Sequence, residues 1–105
     1  MNDEPTEIQS NGTQIWKNSK GEFHRDNDLP ALIWSDGYQA WYQNGKLHRD
    51  NDFPAVIESN GWCKWYQNSQ YIKEKQCTPE EAEQYKKPYY QQRRFQFNRF
   101  EKLMK

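Results

Sequence analysis

The chain has 105 residues, room for one domain, and its formal net charge is zero. Hydrophobic residues make up only 33% and charged residues 29%, but 16% aromatic residues exclude a disordered chain and predict a thin core of large rings. No apolar run approaches the roughly 20 residues of a membrane span, and no apolar leader core follows Met1, so a cytoplasmic protein is expected.

Residues 1–11 carry no pattern and read as a flexible N-terminus. From Gly12 the chain repeats itself. Gly21–Asp36 (GEFHRDNDLPALIWSD) and Gly45–Asn60 (GKLHRDNDFPAVIESN) agree at ten of 16 positions with an offset of 24, and the WYQN of Trp41–Asn44 returns at Trp65–Asn68. Trp16 opens a weaker copy ahead of Trp41, longer by the single insertion at WKNSKG. The last copy decays after Tyr66, where Ser69, Ile72, Lys73 and Glu74 replace Gly45, His48, Arg49 and Asp50. Atypical end units are what a stacked array needs to close itself off.

Asp36-Gly37, Asn44-Gly45 and Asn60-Gly61 are two-residue hairpin signals, because both central residues of such a turn take φ > 0. Asn68-Ser69 closes a last hairpin into Gln70–Glu74. Between the turns, Ala31–Ser35, Tyr38–Gln43, Ala55–Ser59 and Trp62–Gln67 read as strands. Residues 12–75 therefore form a mainly β domain, an antiparallel meander of about three 24-residue units. Two-residue loops set Leu32 opposite Trp41, Ile33 opposite Ala40, Trp41 opposite His48 and Tyr42 opposite Leu47. In the third unit they set Val56 against Trp65, Trp65 against Ile72, and Tyr66 against Tyr71. One face then carries Trp16, Leu32, Trp41, His48, Val56, Trp65 and Ile72. The other carries Ala31, Ile33, Tyr42, Leu47, Ala55, Ile57, Tyr66 and Tyr71.

Residues 78–105 read as a basic amphipathic helical tail. Thr78-Pro79-Glu80-Glu81 is a capping box with proline at the first helical position. Pro88 breaks or kinks that helix, and Tyr90, Phe97, Phe100 and Met104 (or Leu103) then recur at helical spacing among arginines. Residues 86–105 hold seven cations against Glu101 alone, for +6, which leaves −6 on residues 1–85. The tail either covers one sheet face or projects as an arm. Whichever face it leaves bare is the interaction patch, so the candidate binding residues are Trp16, Trp41 and Trp65, or Tyr42, Tyr66 and Tyr71.

The pattern GxxxWYxNGxxHRxxxxPAxxxxxG resembles the MORN-type repeats, in the WYxNGxxHR variant of small bacterial, phage and giant-virus proteins. The match spans about residues 12–74 and rests on Gly37, Trp41, Tyr42, Asn44, Gly45, His48, Arg49, Pro54 and Ala55. It departs in the first unit, where Lys17 stands for Tyr42, and in the third, where the HRD stretch is lost. The resemblance implies a β-meander that binds proteins or, in some members, lipids, and small relatives that include antitoxin-like proteins.

No catalytic apparatus stands out, and no enzyme or cofactor is expected. His24-Arg25-Asp26 and His48-Arg49-Asp50 spell a kinase catalytic loop without the glycine-rich loop, strand lysine or length of a kinase. The two histidines and the nearby Asp26, Asp28, Asp50 and Asp52 suggest a metal site less than a packing position, since Ile72 fills the His48 slot in the third unit. The Asp-Asn-Asp stretches lack the glycine and closing glutamate of a calcium loop and read as bends held by hydrogen bonds, with Arg25 and Arg49 pairing to them. Cys63 and Cys77 form no disulfide framework or CxxC clamp and read as reduced, unactivated thiols.

The expected function is that of a non-enzymatic protein-binding module, a small inhibitor of antitoxin or phage anti-defence type whose acidic body covers a nucleic-acid-processing partner. The alternative is a nucleic-acid-binding accessory protein working through Lys86, Lys87, Arg93, Arg94 and Arg99, whose cations interleave with stackable rings. Attachment to anionic lipid through the same tail is a weaker option, and self-association through a bare face or edge is open.

Overall fold

In the computed structural model, which describes residues 3–91, the chain is mainly β. A seven-stranded antiparallel sheet has the order β1 (Glu7–Ile8), β2 (Gln14–Ile15), β3 (Leu32–Ile33), β4 (Gln39–Ala40), β7 (Val56–Ile57), β8 (Trp62–Gln67) and β9 (Gln70–Gln76). The remaining strands, β5 (Tyr42–Gln43) and β6 (Lys46–Leu47), form a separate hairpin. Within the segment expected to be a loose end, β1 pairs with β2, with Glu7 opposite Ile15.

The turns are of two kinds. Asn44-Gly45 is a two-residue loop as expected, with φ of 51° and 82° and Tyr42 opposite Leu47. Asn68-Ser69 forms the same loop without glycine, at φ 49° and 67°, and sets Tyr66 opposite Tyr71. Asp36-Gly37 and Asn60-Gly61 differ. The Gly37 N–H donates to the Trp34 carbonyl (3.0 Å) and the Trp34 N–H to the Tyr38 carbonyl (2.9 Å), so Ser35, Asp36 and Gly37 make a three-residue loop. Ser59, Asn60 and Gly61 do the same between Glu58 and Trp62. Such loops end on one left-handed residue, here Gly37 at φ +100° and Gly61 at +91°.

That single extra residue moves the register by one. Leu32 lies opposite Ala40 rather than Trp41, Ile33 opposite Gln39 rather than Ala40, and Val56 opposite Lys64 rather than Trp65. A bulge between Trp65 and Tyr66 sets Trp65 against Lys73 and leaves Ile72 exposed. A one-residue slip exchanges the faces. Leu32 and Val56 leave the tryptophan face and join Ile15 and Ala40, with Phe23, Tyr38, Tyr42, Leu47 and Tyr66 packed against them. Ala55 and Ile57 move the other way, onto the face of Trp41, Cys63 and Trp65.

The tryptophan face has a simple order. Backbone bonds from Trp16 to Ala31 (2.8 Å) and from Trp41 to Ala55 (2.7 Å) carry the ladder past the strand ends. Trp16, Ala31, Trp41, Ala55 and Trp65 thus follow one another across the sheet, and the alanines, fully buried, leave room for the indoles. Helix α1 (Pro79–Lys86) starts with the expected capping box, Thr78 Oγ1 accepting from the Glu81 N–H and the Glu81 carboxylate accepting from the Thr78 N–H. It lays Ala82 and Tyr85 onto this face, against Trp65, Ile57 and Cys63.

Candidate protein-binding face

Trp16, Trp41 and Trp65 are only 7%, 2% and 5% exposed, so they belong to the core and present little free surface of their own. Each is fixed by the same pair of contacts. The indole N–H groups donate to carbonyls of the preceding unit: Trp16 to Asp3 (3.0 Å), Trp41 to Asp28 (3.1 Å) and Trp65 to Asp52 (2.8 Å). A cation covers each ring: Arg25 lies 3.7 Å from Trp16, Arg49 3.9 Å from Trp41 and Lys73 4.9 Å from Trp65. The Asp-Asn-Asp stretches make this possible, because Asn27-Asp28 and Asn51-Asp52 both take left-handed φ and aim the carbonyls at the indoles.

Arg49 is the hub. Its guanidinium binds Asp28 through Nε and Nη2 (2.8 and 3.1 Å), the Pro54 carbonyl (3.2 Å), and the Tyr85 and Lys87 carbonyls at the end of α1 (2.6 and 3.0 Å). All its donors are used, as a buried fork requires. Burial lowers its pKa below the usual arginine value and Asp28 offsets the shift only in part, but an arginine remains a cation. Its carboxylate partner lies in the preceding unit, not in its own Asp50-Asn51-Asp52 stretch.

The histidines do not collect a metal set, and among the described residues no group of three or more His, Cys, Asp or Glu could hold an ion. His48 does lie opposite Trp41, its N–H bonded to the Trp41 carbonyl, but its ring bridges the Asp50 carboxylate (2.8 Å) and the Asn68 N–H (3.2 Å). His24 repeats this with Asp26 and Asn44. Since Nδ1 accepts from a backbone N–H, the ring proton sits on Nε2 facing the aspartate. Cys63 and Cys77 are free and buried, and burial, with the neighbouring Cys77, pushes the Cys63 thiol well up.

Helix α1 packs on the tryptophan face, and the opposite face is covered by side chains of the sheet and the β5–β6 hairpin. Its rings meet in pairs: Trp34 stacks on Tyr38 at 4.5 Å, Phe23 meets Tyr42 edge-on at 5.1 Å, and Tyr66 meets Tyr71 edge-on at 5.8 Å. Trp34 and Tyr71 are 45% and 55% exposed, while Phe23, Tyr38, Tyr42, Leu47 and Tyr66 are half-buried. Burial, then the neighbouring phenols, raises the Tyr38 and Tyr42 pKa values, so their hydroxyls stay protonated donors. Glu58, paired to Lys64 at 2.9 Å, and Glu74, accepting from the Tyr71 hydroxyl at 3.1 Å, lie beside these rings. Of the expected binding residues, the structure gathers Tyr42, Tyr66 and Tyr71 here and adds Trp34, Tyr38 and Phe23. The register slip hides Trp34 and Tyr38 from the sequence, since a two-residue turn places them out of pairing.

In the tail, Lys86 pairs with Glu83 (3.4 Å) and Lys87 gives its carbonyl to Arg49, whereas Arg93, Arg94 and Arg99 lie outside the described residues. No helix among the described residues is long and apolar enough to cross a membrane. Comparison of the chain with family models, curated proteins and solved structures gives no match.

Proposed function

We propose that the chain is a non-enzymatic protein-binding module built from three MORN-type units, and that it is a small inhibitor of antitoxin or phage anti-defence type acting on a nucleic-acid-processing partner. The tyrosine face carries this reading: a contiguous aromatic patch left uncovered by α1, with Glu58 and Glu74 beside it. Large rings with polar tips are the residues that anchor protein interfaces, and they do so at low conformational cost. The excess of acids over residues 1–85 suits a partner whose own surface is basic, as a nucleic-acid site is.

The test is capture of a partner from lysate of the source cell by the tagged full chain, followed by assay of the partner's nuclease activity. Trp34→Ala with Tyr71→Ala, both at exposed positions, should weaken capture at least about tenfold while leaving the fold intact. Absence of any stable partner, together with no change in nuclease activity, sinks the reading. Gel shifts at low salt that depend on Lys86 and Lys87 would instead favour nucleic-acid binding through the tail.

A further inference from the structure

Arg25 and Arg49 occupy equivalent places in successive units, and among the described residues Arg49 makes the fuller set of hydrogen bonds. Both bind an upstream aspartate, both reach a proline carbonyl (Pro30 at 3.0 Å, Pro54 at 3.2 Å), and both lie over a tryptophan. Arg49 adds the two carbonyls that end α1, whereas no carbonyl of the described chain reaches Arg25 at those positions. The Arg49 side chain is 1% exposed and that of Arg25 13%. The surroundings differ in the same sense. Leu29 and Ile33, both half-buried, stand where Phe53 and Ile57, both buried, stand under α1. Gln39 takes the place of Cys63, and its side-chain oxygen has no hydrogen-bond partner among the described residues.

We propose that Trp16, Arg25, Leu29, Ile33 and Gln39 form a second helix-docking station, which takes the C-terminal turn of a helix from a partner protein and caps its carbonyls with Arg25. The last carbonyls of a helix lack partners within it and carry partial negative charge, so a guanidinium held in place by an aspartate and an indole is a natural donor to them. Spacing agrees with this. Equivalent places are two strands apart, about 9.6 Å, which falls within the roughly 8–10 Å at which helices pack. An incoming helix parallel to α1 would therefore rest on the sheet and on α1 together, continuing the surface that α1 already covers. A helix that followed α1 directly across Pro88 and lay beside it would run antiparallel and turn N–H donors toward Arg25, so a partner chain is the source proposed for the carbonyls. This station lies on the opposite side of the sheet from the tyrosine face and stands or falls separately from it.

The occupied twin supplies the probe: a peptide of residues 78–87, stapled helical through Glu80 and Glu83, which face solvent. Isotope-labelled full-length protein is titrated with it by NMR. The expected result is saturable shifts of the Trp16 indole N–H and the Arg25 Nε–H, with affinity at least about tenfold weaker in Arg25→Gln and in Arg25→Lys, which keeps the charge but loses the fork. Three results overturn the proposal: no shift at about 1 mM peptide; shifts centred on Trp65 and Cys63, meaning exchange with α1 itself; or contacts to Arg25 from this chain's own residues 92–105 or from a second copy without any peptide.

Discussion

Replacing Arg49 by alanine is the perturbation that tests most of the architecture at once. The change leaves the Asp28 carboxylate, whose side chain is 16% exposed, without its bidentate partner, and takes a donor from the Pro54, Tyr85 and Lys87 carbonyls. Removing one member of a buried ion pair destabilises by roughly 3–5 kcal/mol, so about 4 kcal/mol is expected. Arg25→Ala is the internal control. Its partner Asp3 is 51% exposed, which places that pair near the surface value of about 0.2–1 kcal/mol. The lost carbonyl bond and ring contact bring the total to about 1.5–2 kcal/mol. With a urea slope of about 1.5 kcal/mol/M, the unfolding midpoint should fall by about 2.7 M for Arg49→Ala and about 1 M for Arg25→Ala. Tryptophan fluorescence reads both, because each arginine covers an indole. Equal midpoint drops in the two variants would refute the reasoning, since they would mean that the α1 carbonyls add nothing to the Arg49 site.

Gly61→Ala should be more damaging than Gly37→Ala by about 1 kcal/mol or more in the same denaturation assay. Both glycines take positive φ, but a Cβ at Gly61 meets the Cys77 carbonyl at 3.2 Å and Gln76 Nε2 at 3.0 Å, whereas Gly37 faces open space. Acid should loosen α1. Lys75, followed by the Thr78 N–H, holds Glu81 below the usual carboxylate value, so its stabilising contribution is complete at neutral pH and is lost as pH falls through and below that usual range. Protection of the helix amides from hydrogen exchange, relative to the intrinsic rate at each pH, should thus fall between pH 7 and pH 3 more in wild type than in Glu81→Gln. The raised Cys63 pKa predicts negligible alkylation of the native protein at pH 8 and rapid reaction once urea unfolds it, read by mass spectrometry; fast labelling of the native form would contradict the buried placement.

The capping box at Thr78, the Asn44-Gly45 turn and the aromatic content are local signals, and each produces the element it predicts. The two faces are not legible, because Asp-Gly and Asn-Gly occur both at the centre of two-residue loops and at the end of three-residue ones. Nothing beside Gly37 or Gly61 separates the cases, yet the choice decides whether Leu32 sits with Trp41 or with Ala40. The bulge at Trp65 has no sequence mark either. The arginine clamps are half visible: pairing of Arg25 and Arg49 with aspartates follows from charge, but its reach to the preceding unit depends on the fold. A fainter mark of that reach lies at the N-terminus. Asp3-Glu4-Pro5 stands one unit ahead of Asp28-Leu29-Pro30 with the same Asp-x-Pro spacing, and Asp3 is the acceptor for Trp16 and Arg25.

The ion pairs that join successive units are unequal, and this orders how the molecule comes apart. The Asp28–Arg49 link is buried at 2.8 Å, the Asp3–Arg25 link is half open to water, and the Asp52–Lys73 link is 3.7 Å long with both ends exposed. Where neighbour couplings hold a linear array, opening starts at its weakest coupling and stops at its strongest. Fraying therefore begins at the first strand, both residues of which are exposed, while Trp41, the strands beside it and α1, which Arg49 holds by two carbonyls, stay closed until global unfolding. The protein thus behaves as a clasp fastened in the middle, with its first strand free to adapt its shape.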